Sequence, residues 1–386
     1  MVKILVVDDE VDMEPLITQK FRRKIHNKEW EMIFRHNGQQ ALEVLQEDPS
    51  IDIVLSDINM PQMDGLTLTQ KIQEEGFDIR TVIVSAYGDI ENIRTAMNNG
   101  AFDFITKPIN FKDMEHTITR GFDNLSKMKE ALQSKETLFH LKKELSVAHD
   151  IQQSILPKDF NLDKNCQLHG VMTPAKEIGG DFYDCFKIDD DHVAVIVADV
   201  SGKGVAAALF ALITQTVLKG ISASKGALKA SAVIEELNKQ SCKNNDSFMF
   251  VTLFYGVLNT KTGKFTYVNA GHNPPFLVHT NAQVEELPLT GGIPLGLFAD
   301  RNFLEKTIEI KPNETVFIYT DGVTESMNSH NEEFTEERLE KILSAQCGED
   351  IKTMSAKVHQ GVKDFAGSAP QFDDLTYLAL RYLPQS

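Results

Sequence analysis

LSKMKEALQSKETLFHLKKELSVAHDIQQSILP, residues Leu125–Pro157, sets the organisation of this chain. The stretch has no Gly, and its only Pro is its last residue. Lys, Glu, Leu and Gln dominate it, and all are good helix formers. Leu138, Leu141, Leu145, Ala148, Gln152 and Ile155 follow an alternating three-four spacing. Leu125, Met128, Leu132 and Phe139 follow it too, with Lys135 in one seam position, but one residue out of phase. So narrow a stripe is a coiled-coil seam rather than the wide face of a helix lying on a core. An acidic cluster around Asp57 precedes the helix, and a second, around Asp181 and Asp199, follows it. The expected organisation is a first domain over 1–124, a helical coiled-coil linker over 125–157 and a second domain over 158–386. The linker is expected to pair with its copy in a homodimer and carry a signal between the two sites; a passive spacer is the alternative.

The bulk numbers bound the rest. A chain of 386 residues holds two or three domains with their own cores. Its 42% hydrophobic and 25% charged residues suit globular domains. The net charge of −17 argues against nucleic acid or an anionic membrane as a partner. Cys166, Cys185, Cys242 and Cys347 form no CxxC pair, which points to a reducing compartment without a zinc site. The start does not read as a signal peptide, and no apolar run is expected to approach the ~20 residues that span a bilayer. A cytoplasmic protein is the expectation.

In the first domain, short apolar runs end in polar groups. Lys3–Val7 ends at Asp8-Asp9-Glu10, Ile51–Ser56 at Asp57, Thr81–Val84 at Ser85, and Phe102–Thr106 at Lys107-Pro108. Helix-like segments such as Gln39–Gln46 and Leu66–Glu75 separate them. Strands apolar on both faces and alternating with helices indicate a doubly wound parallel sheet. Such sheets gather functional groups at the carboxyl ends of their strands. Asp8, Asp9 and Asp57 can hold one Mg²⁺, a cation that prefers oxygen ligands. Lys107 would neutralise an incoming phosphoryl group, Asp57 would accept it as nucleophile, and Ser85 could hydrogen-bond it. Lys107-Pro108 invites a cis peptide.

Val7-Asp-Asp9, Ser56-Asp-Ile-Asn-Met-Pro-Gln-Met-Asp-Gly65, Val84-Ser-Ala86, Phe104 and Lys107-Pro108 together resemble a response-regulator receiver domain. The resemblance implies phosphotransfer from a sensor histidine kinase. It also implies that the Asn59 carbonyl ligates the metal and that Ser85 and Phe104 reorient on phosphorylation.

In the second domain, acidic residues again punctuate strand-like runs. Glu177-Ile-Gly-Gly-Asp181-Phe-Tyr-Asp184 comes first. Val193–Ala198 leads into Asp199-Val-Ser-Gly-Lys-Gly204, and Val205–Lys219 reads as a helix. Phe250–Leu258 and Lys264–Asn269 read as strands, Thr315–Tyr319 ends at Asp321, and Asp373-Asp374 precedes the strand Tyr377–Tyr382. An α+β domain of packed antiparallel sheets flanked by helices is predicted. Four carboxylates on four strand ends suit two divalent metals that activate a water for attack on phosphorus. Gly179, Gly180 and Gly202 allow close backbone approach. Asp199-Val-Ser-Gly-Lys-Gly lacks Walker-A spacing.

Pro174-Ala-Lys-Glu-Ile-Gly-Gly-Asp-Phe-Tyr-Asp184, Asp199–Gly204, Asn269-Ala-Gly-His-Asn-Pro-Pro275, Gly291-Gly-Ile-Pro-Leu-Gly296, Asp321-Gly-Val-Thr-Glu325 and Asp373-Asp-Leu-Thr376 follow one another in that order. They resemble the SpoIIE/RsbU branch of the metal-dependent protein phosphatases, the protein phosphatase 2C superfamily. That implies two Mn²⁺ or Mg²⁺ ions bridged by Asp199, with the Val200 carbonyl assisting. Asp181 would belong to one metal, and Asp321 and Asp373 to the other, with Asp374 the uncertain neighbour. It implies a phosphoserine/phosphothreonine protein phosphatase acting on a phosphorylated anti-anti-sigma (STAS) protein. Asp184, Glu177 and His272 read as structural. Lys203 could meet phosphate or solvent. The competing reading is a catalytically inactive phosphatase-like adaptor that binds a partner under receiver control.

Overall fold

In the computed structural model, residues 1–225, 229–243 and 245–383 are described. The last three residues of the expected 158–386 domain lie outside them. The chain divides into two units, Met1–His140 and Leu141–Ser386.

The first unit alternates strands and helices: β1 (Val2–Val7), α1 (Met13–His26), β2 (Trp30–Arg35), α2 (Gly38–Glu47), β3 (Ile53–Asp57), α3 (Gly65–Glu74), β4 (Arg80–Ala86), α4 (Ile90–Asn98) and β5 (Asp103–Lys107). The strands form one parallel sheet in the order β2-β1-β3-β4-β5. β1 is apolar throughout because both its faces are covered. Leu5 and Val7 pack with Ala41, Leu45 and Leu68 of α2 and α3. Ile4 and Val6 pack on the other side with Ile17 and Phe21 of α1 and with Met114 and Ile118. Asn37 and Asp64 cap α2 and α3 by accepting from the amides of Gln40 (2.9 Å) and Thr67 (2.7 Å). In β2 the charges of Glu31 and Arg35 cut the apolar run down to Met32-Ile33-Phe34, which an edge strand tolerates at little cost.

α5 (Phe111–Ile155) is one helix of 45 residues. The expected start at Leu125 is therefore corrected: the last helix of the first unit and the linker are a single element. Leu125 is not a free seam residue, because it is buried in the first unit. Met128, Leu132, Leu138, Phe139, Leu141, Val147 and Ile151 are exposed.

The second unit comprises β6 (Cys166–Thr173), β7 (Phe182–Lys187), β8 (His192–Val200), α6 (Val205–Lys225), α7 (Ala230–Cys242), β9 (Val251–Asn259), β10 (Lys264–Ala270), β11 (Phe276–Val278), β12 (Val284–Glu286), β13 (Lys306–Glu309), β14 (Thr315–Tyr319), α8 (Asp321–Thr324), α9 (Glu336–Ala345), α10 (Ile351–Ala366) and β15 (Leu375–Tyr382). Two antiparallel sheets, ordered β13-β10-β9-β8-β7 and β12-β11-β14-β15-β6, pack face to face. β15 shows why every one of its residues is buried. Leu378 and Leu380 face the other sheet with Val195 and Val197, while Tyr377 and Ala379 face Met354 and Val358 of α10. Helices α6 and α7 cover the opposite face of the sandwich.

One expectation fails here. Within α6, Val205–Ser224 is long and apolar enough to cross a bilayer by length and composition. Ala207, Ala211 and Leu218 pack into the core. Gln215 and Lys219 tie the helix to the buried Asp184 on β7, at 2.9 and 2.8 Å.

Candidate functional site

At the carboxyl ends of the parallel strands, Asp8 follows β1 and Asp57 closes β3. The oxygens of Asp8, Asp9 and Asp57 lie within 4.8 Å of one another. Lys107, the last residue of β5, places Nζ 2.6 Å from Asp57 Oδ2, 3.0 Å from Glu10 Oε1 and 3.4 Å from Asp8 Oδ2. Burial works against its charge, but the bonds to Asp57 and Glu10 outweigh that and push its pKa up. Burial raises the Asp8 carboxyl, opposed by the Glu10 amide and Lys107. Lys107-Pro108 is cis. Ser85 is buried, with its hydroxyl 3.4 Å from the Ala86 carbonyl. Phe104 is 40% exposed, and Asn59 is exposed. Three oxygens around one small volume, with an ammonium beside them, fit a hard divalent cation and a phosphoryl group. Glu10 had no assigned role in the sequence; it shares Lys107 with Asp57.

The second acidic cluster forms where β7, β8, β14 and β15 meet their loops. Asp181 precedes β7, Asp199 is near the end of β8, Asp321 opens α8, and Asp373-Asp374 precedes β15. Asp181 is fully buried and accepts a 2.7 Å bond from the Thr320 hydroxyl. Burial, then the nearby charges of Asp199 and Asp374, push its pKa well up. Burial and repulsion from Asp321 push Asp199 to about 7, although a hydrogen bond to Asp181 works the other way. Asp321 is raised by burial and by Asp373, against the pull of Lys203.

The adjacent pair Asp373-Asp374 divides its work. Asp374 Oδ1 accepts from the Ala175 amide at 2.8 Å, and Oδ2 from the Gly180 and Asp181 amides at 2.6 and 3.3 Å. It is a backbone clamp. Asp373, with a side chain 34% exposed, pairs with Lys203 Nζ at 2.8 Å. Lys203 also donates to the Phe372 carbonyl at 2.8 Å. Gly179 and Gly180 are required here: a Cβ would lie 2.4 Å from Asp374 Oδ2 at the first and 3.0 Å from the Val200 carbonyl at the second.

Lys203 is a cation paired with these carboxylates, and burial with mutual repulsion raises Asp181, Asp199 and Asp321. A donor set of carboxylate oxygens fits hard divalent cations.

Three relatives set this geometry in context. Residues 189–383 match Stage II sporulation protein E (SpoIIE), and residues 4–119 match the response regulator receiver domain. The chain belongs to the SpoIIE family. Its N-terminal unit is a receiver. It is 30% identical over 262 residues to Protein IcfG of Synechocystis sp., covering 61% of this chain but only 41% of IcfG. It is 26% identical over 244 residues to Phosphoserine phosphatase RsbU of Bacillus subtilis, covering 62% of this chain and 70% of RsbU. In fold it resembles the SiaA-PP2C domain of Pseudomonas aeruginosa, with a TM-score of 0.58 at 19% identity, covering 64% of this chain and 98% of that one.

Other residues of this SpoIIE-family chain fall into place. Asp184 is structural, bound to Gln215, Lys219 and the Cys185 amide. His272 is buried, with Nδ1 3.1 Å from the Thr252 hydroxyl, and burial lowers its pKa to about 4, so it is neutral. Glu177 contributes its carbonyl, 2.8 Å from His149 Nδ1 of α5. Gln152 corrects a seam assignment. It is 3% exposed and grips Gly179 from both sides, donating to the carbonyl at 2.7 Å and accepting from the amide at 3.1 Å. Its helical spacing hid this, since a polar residue in a seam also reads as a register device.

Proposed function

We propose that this chain is a two-component response regulator whose output is a Mn²⁺- or Mg²⁺-dependent phosphoserine/phosphothreonine protein phosphatase. The observation that carries the reading is the convergence of Asp181, Asp199, Asp321 and Asp373, where burial and mutual repulsion raise the pKa of the buried members. Asp199 shares a hydrogen bond with Asp181 and is repelled by Asp321 and Asp373, which suits a bridging ligand. Asp181 would serve one metal, Asp321 and Asp373 the other, with the Val200 carbonyl assisting. When bound, the metals supply Lewis-acid polarisation and an activated water. Thr320 orients Asp181, and Asp374 fixes the Gly180-Asp181 backbone. Lys203 is placed to exchange Asp373 for a phosphoryl oxygen of the substrate. An adaptor without turnover would have no need for this set.

In the receiver, Asp57 would take a phosphoryl group from a sensor histidine kinase. Asp8, Asp9, Asp57 and the Asn59 carbonyl would hold one Mg²⁺, Lys107 would offset the added charge, and Ser85 and Phe104 would report it. The likeness to Phosphoserine phosphatase RsbU supports a phosphoserine protein as substrate, and the family resemblance of the motifs extends this to a phosphorylated anti-anti-sigma (STAS) protein in the cytoplasm. The exposed apolar residues of α5 support a homodimer. The test is turnover of a phosphoserine protein with Mn²⁺, with and without beryllofluoride as aspartyl-phosphate mimic. Activity that needs metal and changes with beryllofluoride supports the reading; metal-independent or absent turnover sinks it.

A further inference from the structure

Beside Asp373 lies a cavity of about 310 Å³ that the reaction does not use. Two of its walls belong to the segments that hold metal-site residues. One is Ser326-Met327, just after α8, which Asp321 opens. The other is Gly367–Phe372, which runs directly into Asp373. The last turns of α10 form the third. Met327, Val362, Ala366, Pro370, Phe372 and Leu375 supply its apolar lining, and His359 and Lys363 line it too. The wall is held in place: Gln371 donates to the carbonyls of Thr173 and Asp373, both at 2.8 Å. Phe372 is 71% exposed, with the Lys203 ammonium 4.2 Å from its ring centre. The same ammonium pairs with Asp373. Phe372 and Lys203 therefore join the cavity to the acidic cluster without a break.

The geometry points to a substrate subsite: the cavity takes an apolar side chain of the phosphoprotein, within about three residues of its phosphoserine. This inference rests on the phosphatase reading. Continuity with the acidic cluster selects the occupant. A phosphoryl group at Lys203 and Asp373 leaves its own flanking residues over Phe372. An extended chain advances about 3.3 Å per residue, so a neighbouring side chain reaches the cavity while the phosphate stays in place. The volume exceeds that of one leucine side chain and admits an aromatic one, in the range of ordinary ligand pockets. Lys363 in the lining and Lys203 over the Phe372 ring favour a segment with acidic residues beside the apolar one.

The test compares phosphoserine peptides that carry Leu, Phe or Ala at each of the three positions on either side, with p-nitrophenyl phosphate as a substrate without flanks. The wild type should prefer a Leu or Phe peptide over its Ala counterpart by roughly tenfold in kcat/KM at one position. Ala366→Phe, which fills the cavity, and Met327→Asp, which charges it, should each erase that preference through KM. Turnover of p-nitrophenyl phosphate should stay within about twofold. Equal kcat/KM for all peptides in the wild type, or a preference that survives both variants, would overturn the subsite. If the wild type with Mn²⁺ hydrolyses nothing, the phosphatase reading fails instead. Fluorescence anisotropy of the labelled Leu and Phe peptides then decides the cavity: the wild type must bind one of them and Ala366→Phe must not.

Discussion

Removing one carboxylate from the phosphatase cluster should stabilise the metal-free protein. In Asp199→Asn the charge lost is one that burial and Asp321 oppose, with a folded pKa near 7 against the ordinary 3.8. A carboxylate raised in the folded state binds more protons there than in the unfolded chain, so stability falls as pH rises between the two values. Below pH 4 the group is protonated in both states and contributes nothing; above pH 7 the whole penalty is present. At ~1.4 kcal/mol per pKa unit the ceiling is about 4 kcal/mol. Sharing of protons with Asp181 and contact with solvent bring the expectation to about 2 kcal/mol. For a domain of this size that is roughly 4–8 °C in melting temperature. Calorimetry in chelator at pH 5, 6, 7 and 8 should show the variant gaining on the wild type as pH rises. With Mn²⁺ the order should reverse, since the wild type gains binding energy the variant has lost. Parallel pH profiles in chelator, or a variant less stable at pH 8, would refute the claim that burial and repulsion among the clustered carboxylates oppose the charge of Asp199.

Other perturbations follow from the same contacts. Asp57→Asn should stay folded but take up no phosphoryl group from acetyl phosphate, as intact mass shows; stoichiometric labelling would remove Asp57 as acceptor. Gln152→Ala leaves the Gly179 amide and carbonyl unpaired, at about 1–3 kcal/mol. It should lower phosphatase kcat severalfold and flatten the response to beryllofluoride, and unchanged values for both would make Gln152 mere packing. One residue inserted between Lys142 and Lys143 turns the downstream helix by about 100° and should abolish the beryllofluoride response, whereas seven residues nearly restore phase and should keep it. A wild-type response from both insertions would reduce α5 to a tether.

The fold was legible wherever burial is two-sided. β1, β3 and β8 announce themselves as continuous apolar runs because both faces meet a partner. β2 escaped because an edge strand tolerates Glu31 and Arg35. The helical character of α6 was legible, but not that a run so apolar is held by polar ties to a buried Asp184. At the site, strand-end carboxylates identified the acidic clusters. That Asp374 spends its oxygens on backbone amides while Asp373 pairs with Lys203 was not legible, because adjacent residues differ only in which way the chain turns. The three amides that fill Asp374 come from residues 193, 194 and 199 positions away. Gln152 was misplaced for the same reason: its partner, Gly179, is 27 residues on and contributes only backbone.

That misplacement bears on control. In the proposed dimer, the stripe Leu138–Ile155 pairs with its copy, and Gln152 belongs to the stripe. In the structure Gln152 instead holds Gly179, two residues before Asp181. A helix face cannot do both at one position. Full pairing through Ile155 therefore requires the Gly179 clamp to open, and an intact clamp limits pairing to the segment before Gln152. The energies favour neither state by much. Two hydrogen bonds contribute about 0.5–1.5 kcal/mol each. Burying Ile155, which is 37% exposed, adds about 1–2 kcal/mol per copy. Terms so close are what a switch needs, since in the proposed dimer a small bias from the receiver would decide which contact is made. The Gly179-Gly180 backbone, with no Cβ to hinder it and Asp374 hydrogen-bonded to Gly180 and Asp181, would carry that choice to the carboxylate of Asp181.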